Sequence, residues 1–590
     1  MNLQEAYEEL DLNYYNDKYL TLKEVEQIYK KLAKQYHPDM NINMPEYLQR
    51  LASEKFQKIN EAMEIIREEL KLNEEELQEE LKERGKIAEE LFYKGLEYYY
   101  EDKNYEEAFK YFQKAEELGE IKAQFYLGSC YIKGNGVKQD YKEAYKWYKK
   151  SADQGNEIAQ YNLGVFYRFG YGVEQDYKEA FYWYKKSAEQ GYTEAQNTLG
   201  FLYRSGLGIE KNYKEAYYWY KKSAEQGDTS AQNNLGILYA NGYGVKQDYR
   251  EAFYWFKKSS EQGDSSAQYN LGNLYKEGNG VEQDYKKAFY WYKKSAEQGD
   301  SSAQNSLGVL YQKGLGVNQD YEEAFKWYKK SADQGNEIAQ YNLGVFYRFG
   351  YGVEQDYEEA FYWYKKSAEQ GNSSAQNNLG FLYEKGYGVE QDYQEAFYWY
   401  KKSAEQGDSD AQYNLGNLYK KGYGIEQDYK EAYYWWKKSA EQGDSDAQNG
   451  LGVLYTNGEG VEQDYQEAIY WYKKSAEQGD SFAQNNLGNL YRDGKGVEQN
   501  YEEAYYWYKK SAEQGSSIAQ NNLGNLYRDG KGVEQNYEEA FYWYEKSAKQ
   551  GDKEAQFKLG EFYEKGLGVE QSYKKAMEYY KEIAKTVAKI

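Results

Sequence analysis

Apolar positions return at a fixed interval of 36 residues from Ala123 to the end of the chain. In the first such unit Ala123, Leu127 and Tyr131 fall at i, i+4 and i+8, the spacing of one helix face. Gly134-Asn135-Gly136 then calls for a turn at positive φ. Beyond it, Tyr141, Ala144, Trp147, Tyr148 and Ala152 make the apolar stripe of a second helix, with Asp140 placed to cap it. That capping column holds Asp, Asn or Ser in all thirteen units, Asn212, Asp356 and Ser572 among them. Glu143 follows at the third helical position, where only Lys287 and Lys575 depart from Glu, and Lys149 and Lys150 lie toward the helix end that favours cations. Gly155 closes the unit. Thirteen copies without insertion or deletion, their alanines running from Ala123 to Ala555, mean stacked helix pairs. The pattern predicts an all-α chain whose residues 123–590 form an α/α superhelical solenoid.

The first 122 residues read differently. Leu3, Ala6, Tyr7 and Leu10 share one face of a helix over residues 3–12. Thr21, with Glu24 three residues on, is placed to open a second helix whose stripe is Leu22, Val25, Tyr29, Leu32, Ala33 and Tyr36. Pro38 stops it. A third helix is expected over residues 46–70, burying Leu48, Leu51, Phe56, Ile59, Ala62, Met63 and Ile66. Residues 71–85 are almost purely Glu, Lys, Leu, Gln and Arg and read as a charged helical connector. Residues 86–122 look like a plainer leading unit that caps the array. Gly95 to Tyr105 spans ten positions where Gly128 to Tyr141 spans thirteen, so the inserted turn is missing.

Composition changes this picture in three places. A length of 590 residues suggests about four domains, but a solenoid grows in one dimension and overrides that expectation. Only 40% of residues are hydrophobic and 29% are charged, yet 76 Tyr and 13 Trp, placed periodically, supply burial enough for a folded chain. The net charge of −23 carries no basic footprint for nucleic acid. One cysteine, Cys130, rules out a disulfide framework, and the start of the chain shows neither a signal peptide nor a membrane span, so a cytoplasmic, reducing location is expected. Four glycine columns account for 52 of the 55 glycines and one column for twelve of the thirteen tryptophans. Gly134-Asn135-Gly136 is therefore a turn and not a phosphate loop.

Candidate chemistry sits outside the array. His37-Pro38-Asp39 lies between the second and third helices, and His37 is the only histidine of the chain. Tyr29-Lys30-Lys31-Leu32-Ala33-Lys34-Gln35-Tyr36-His37-Pro38-Asp39, followed by Phe56-Gln57-Lys58-Ile59-Asn60-Glu61-Ala62, resembles the J-domain of the DnaJ co-chaperones over roughly residues 2–69. The resemblance implies a helical hairpin, assigned here to residues 1–70, that binds a DnaK-type heat-shock chaperone and stimulates its ATP hydrolysis. By position it makes His37, Pro38 and Asp39 the stimulating loop, with Lys30, Lys31 and Lys34 as basic contacts on the helix before it. Gln35 and Met40 stand where family members often carry basic residues. Cationic side chains of this kind favour an acidic partner surface.

The Gly-x-Gly-Val turn, the Leu-Gly-x-x-Tyr start and the Trp-Tyr-x-x-Ser-Ala end of the unit resemble the Sel-1-like repeat family, a longer relative of the tetratricopeptide repeat. That resemblance implies a superhelix whose first helices line a groove for protein partners. The polar positions after each Ala-Gln pair are the candidate groove: Asn233, Asn234, Tyr269, Asn270, Asn273, Tyr413, Asn414, Asn417, Asn485, Asn486, Asn489, Asn521, Asn522 and Asn525. Asn donates and accepts at once, which suits an extended peptide backbone; the alternative is that these amides bond to neighbouring units or to water. Near-identical copies, such as residues 485–504 and 521–540, favour a multivalent or extended partner over a small ligand. The array holds no nucleophile–base pair and no metal-ligand cluster, so neither enzymatic activity nor a cofactor is expected. The expected function is a co-chaperone whose head recruits a DnaK-type chaperone and whose solenoid selects an unidentified protein or peptide, without nucleic acid or membrane. The alternative is a pure interaction scaffold with a non-stimulating head.

Overall fold

The computed structural model of the protein describes residues 1–13, 20–41 and 44–587, residues 583–587 by backbone alone. The last three positions of the expected array, 588–590, lie outside the described residues. Helices are the only regular elements among the described residues. The chain divides into two compact units, Met1–Gln262 and Gly263–Ile590.

The first unit opens with a helical hairpin. Helix α1 (Leu3–Glu9) starts at a capping box in which Asn2 accepts from the Glu5 amide and Glu5 accepts from that of Asn2. Helix α2 (Leu22–Tyr36) starts at the expected Thr21–Glu24 box. A one-turn 3-10 segment (Pro38–Met40) leads to helix α3 (Glu46–Tyr100). Ala6, Tyr7, Leu10, Val25, Ile59, Ala62, Met63 and Ile66 form the core where α1 and α2 pack on α3. Leu51, expected inside, is 56% exposed, and Ala52 takes the buried place one residue on.

The third helix and the connector prove to be one element. Helix α3 runs 55 residues without a break, roughly 80 Å at 1.5 Å per residue. Strong helix formers fill it and no proline interrupts it; Gly85 costs about 1 kcal/mol against Ala, too little to end a helix anchored on both sides. Residues 71–87 are exposed all round, while the ends on either side are packed into the hairpin core and against helix α4 (Tyr105–Glu117).

Each later repeat is a helix pair such as Glu157–Phe169 and Tyr177–Glu189. The first helix ends on a left-handed glycine, Gly170 at φ 73°. Asp176 caps the second through the amides of Lys178 and Glu179. Two contacts set the spacing within each compact unit. A Cβ on Gly164 would lie 2.8 Å from the ring of Tyr184, and one on Gly172 would lie 2.4 Å from the Tyr141 carbonyl oxygen of the preceding pair. Glutamine supplies the polar seam. Gln376 is buried, donates to the Ala368 carbonyl of the preceding second helix at 3.0 Å, and accepts from Gln406 of its own pair at 2.7 Å. Ser403 adds a bond to the Ser373 carbonyl at 2.8 Å.

The aromatic columns depart from expectation in one respect. Tyr141, placed on the apolar stripe by its spacing, is 40% exposed; its ring stacks on Tyr171 and its hydroxyl accepts from Gln139. The tryptophan column is buried at Trp183, Trp363 and Trp399 and half-buried at Trp147, Trp291 and Trp327. Trp363 and Trp399 donate their indole N–H to Glu359 and Glu395, which gives the glutamate at the third helical position a partner besides the helix dipole.

Replacing Trp363 by alanine is expected to cost about 3–5 kcal/mol, and the same change at half-buried Trp327 markedly less, read as the shift in urea midpoint. A second expectation concerns pH. Burial pushes the phenols of Tyr148, Tyr220 and Tyr472 up to about 12 from an ordinary 10.0. The unfolded chain releases these protons first, so stability is intact below about pH 10 and falls as pH rises toward 12. Tyrosinate absorbance and helical circular dichroism followed together in alkali should show these phenols ionising with unfolding and not before it.

Candidate functional site

The end of α2 presents the candidate loop. Lys30, Lys31 and Lys34 are exposed on α2, and Arg67 of α3 meets Glu26 of α2 at 3.2 Å. Tyr29 donates across the hairpin to Asn60 at 3.0 Å, which fixes α2 against α3 just ahead of the loop. His37 ends the helix at φ −56°, ψ 132°, the extended backbone that a following proline demands. Its ring meets the edge of Phe56 at 5.0 Å and 71°. The Asp39 amide donates to His37 Nδ1 at 3.2 Å, so the neutral ring carries its proton on Nε2. The Asp39 carboxylate is 87% exposed, 3.7 Å from Nδ1.

One residue of this loop was missed by sequence reasoning. Asn41 is buried, and its side-chain amide donates to the carbonyls of Gln35 and His37 at 3.3 and 3.0 Å, while its own amide donates to Pro38. It ties the last turn of α2 to the 3-10 turn and leaves His37, Pro38 and Asp39 displayed on a closed loop. A polar residue two positions after Asp39 carried no pattern that set it apart from other loop asparagines.

In the array several of the candidate groove residues fall into two networks. Asn233, Asn485 and Asn521 are buried; Asn234, Tyr269, Asn270, Asn273, Tyr413, Asn414, Asn417, Asn486, Asn489, Asn522 and Asn525 are half-buried. Asn234 donates to Asn197 of the preceding pair at 3.2 Å, and Asn414, Asn486 and Asn522 do the same to Asn377, Asn449 and Asn485 at 3.0, 3.3 and 3.0 Å. A second set accepts from buried tyrosines: Tyr292 on Asn273 at 2.5 Å, Tyr508 on Asn489 and Tyr544 on Asn525 at 2.7 Å. Tyr413 lies parallel to Trp436 at 6.2 Å, and its carbonyl accepts from the indole. The first set thus bonds to the preceding unit and the second within its own helix pair.

A 560 Å³ pocket opens on this face, lined among others by Asn522, Asn525, Arg492, Arg528, Lys558 and Glu554. Arg492 and Arg528 meet Asp493 and Asp529 at 2.7 and 2.6 Å, and each guanidinium holds its carboxylate below the ordinary carboxylate range. The two arginines escaped the sequence reading although each sits three residues after a candidate asparagine, Asn489 or Asn525, on the same helix face.

Comparison with known proteins agrees with this architecture. The Sel1 repeat family matches fourteen segments from 86–120 to 553–585, and the chain belongs to that family. The match begins at 86, one helix pair ahead of Ala123. Residues 5–74 match the DnaJ domain, so the hairpin of α1, α2 and the start of α3 is a J-domain. No curated protein is matched. Among solved structures, a protective antigen present in uropathogenic Escherichia coli strains, displaying an SLR fold, is 40% identical. That alignment covers 75% of this chain and 94% of the antigen at a TM-score of 0.64. A Sel1 repeat protein from Oxalobacter formigenes is 33% identical over 52% of this chain and 90% of its own, with a TM-score of 0.42. No helix among the described residues is long and apolar enough to cross a membrane.

Replacing Asn41 by alanine removes two side-chain bonds at a buried site and is expected to cost about 1–3 kcal/mol. Hydrogen exchange should show the loss of protection concentrated in the last turn of α2 and the 3-10 turn.

Proposed function

We propose that the protein is a J-domain co-chaperone. Its head recruits a DnaK-type chaperone and stimulates ATP hydrolysis there, and its repeats hold the protein on which the chaperone acts. What carries this reading is the displayed loop: His37, Pro38 and Asp39 closed by Asn41, at the foot of a helix that exposes Lys30, Lys31 and Lys34. In a chain of net charge −23 these lysines offer an acidic partner a local attraction against the overall charge. Contacts of this kind raise the rate of encounter and weaken as salt increases. The exposed stretch of α3 lies between the head and the first repeats.

The test is ATPase stimulation of a DnaK-type chaperone by the full chain. Wild-type protein should accelerate hydrolysis, with the effect falling as salt rises, and His37→Gln should abolish it while circular dichroism stays unchanged. Failure of the wild-type protein to stimulate, or undiminished stimulation by His37→Gln, would leave the head a scaffold element.

A further inference from the structure

The second helices of the repeats carry a row of lysines that the head and the groove do not use. In the unit Gly263–Ile590 it runs from Lys294 to Lys546, one lysine every 36 residues and eight in succession, all exposed. Each ammonium lies over at least one aromatic ring of its own helix. Lys402 is 4.7 Å from the Tyr398 ring centroid and 5.2 Å from that of Trp399, Lys438 is 4.6 and 5.1 Å from Tyr434 and Trp435, and Lys474 is 4.6 and 5.3 Å from Tyr470 and Trp471. The tyrosines beneath are themselves 45–48% exposed wherever this column holds Tyr in the unit. No ion pair engages any of the eight among the described residues, whereas two of the adjacent lysines, Lys293 and Lys329, pair with Glu297 and Asp333.

A lysine held on aromatic rings has given up part of its rotamer freedom before any partner arrives, so an incoming anion meets a fixed cation at reduced entropic cost. Eight such sites, one to each repeat, fit an extended anion that crosses successive repeats, and their sparseness selects its class. Packed helix axes lie about 8–10 Å apart and a first helix stands between successive second helices, so the row offers one lysine to each helix pair. Duplex phosphates arrive about every 1.7 Å, far denser than one lysine to each helix pair. An extended polypeptide advances about 3.1 Å per residue with three residues per turn, so carboxylates at every third position recur about every 9 Å on one side.

We propose that this lysine–aromatic row is a docking face for an acidic polypeptide segment in extended conformation. Many weak, repeated contacts would give it avidity without a pocket. The row is independent of the head, so its test needs no chaperone.

The experiment uses the full chain and fluorescently labelled poly-L-glutamate, with binding read as anisotropy at low and moderate salt. Two triple variants carry the same charge change: Lys366→Glu, Lys402→Glu and Lys438→Glu in the row, and Lys214→Glu, Lys286→Glu and Lys430→Glu at exposed first-turn lysines outside it. The row variant should lose at least tenfold in affinity and the outside variant less than threefold, with unchanged melting for both. Equal losses in the two variants, absence of binding by wild-type protein, or tighter binding of a DNA duplex than of poly-L-glutamate would overturn the proposal.

Discussion

Backbone touches backbone wherever one repeat meets the next inside a compact unit, and most of the fold depends on that contact. The second glycine of each turn, Gly388 for example, brings its α-carbon so close to the preceding second helix that a Cβ would lie 2.1 Å from the Tyr357 carbonyl oxygen. The same residue sits at φ 68°, so both the space and the conformation exclude a side chain. Gly380 imposes a parallel demand within the pair, with the Tyr400 ring 2.8 Å from its missing Cβ. With one interlock in the middle of the first helix and another just past its end, an inserted residue cannot be absorbed in the turn without parting two helices. A period of 36 residues held through thirteen units follows from that geometry.

These interlocks explain which parts of the architecture could be read directly. Glycine, Asp and Trp columns are visible because the structure admits little else at those places, and the helix pairs, their caps and their turns follow from them. Gln376 and its equivalents were hidden in plain view. Adjacent to a core alanine, a glutamine reads as a side chain turned to water, yet it is buried and joins three helix ends through two bonds. Periodicity shows that a position is constrained, but spacing alone does not distinguish a buried amide with two partners from an exposed one.

The same limit shaped the reading of the candidate sites. Asn414, Asn486 and Asn522 lie on the expected face, but each bonds across to the asparagine of the unit before. That ladder needs asparagine in two successive units, and it stops where the pairing fails. Asn521 meets no asparagine in the following unit because Lys558 stands there and pairs with Glu561, and the buried Asn521 oxygen is left without a partner. In the head, His37, Pro38 and Asp39 were legible from their place between two helices, whereas Asn41 was not. Its importance comes from burial against carbonyls four and six residues earlier, and that closure exists only once the chain has turned.

Charge then divides the labour along the molecule. Helix α3 carries glutamates at Glu74, Glu75, Glu76, Glu79, Glu80 and Glu83 on a stretch exposed all round, so the segment between head and repeats repels anions. Cations gather on either side of it, as Lys30, Lys31 and Lys34 beside the displayed loop and as lysines on the second helices of the repeats. The cationic side chains of the head and those of the second helices are thus divided by an acidic stretch of helix, which makes them two separate electrostatic surfaces.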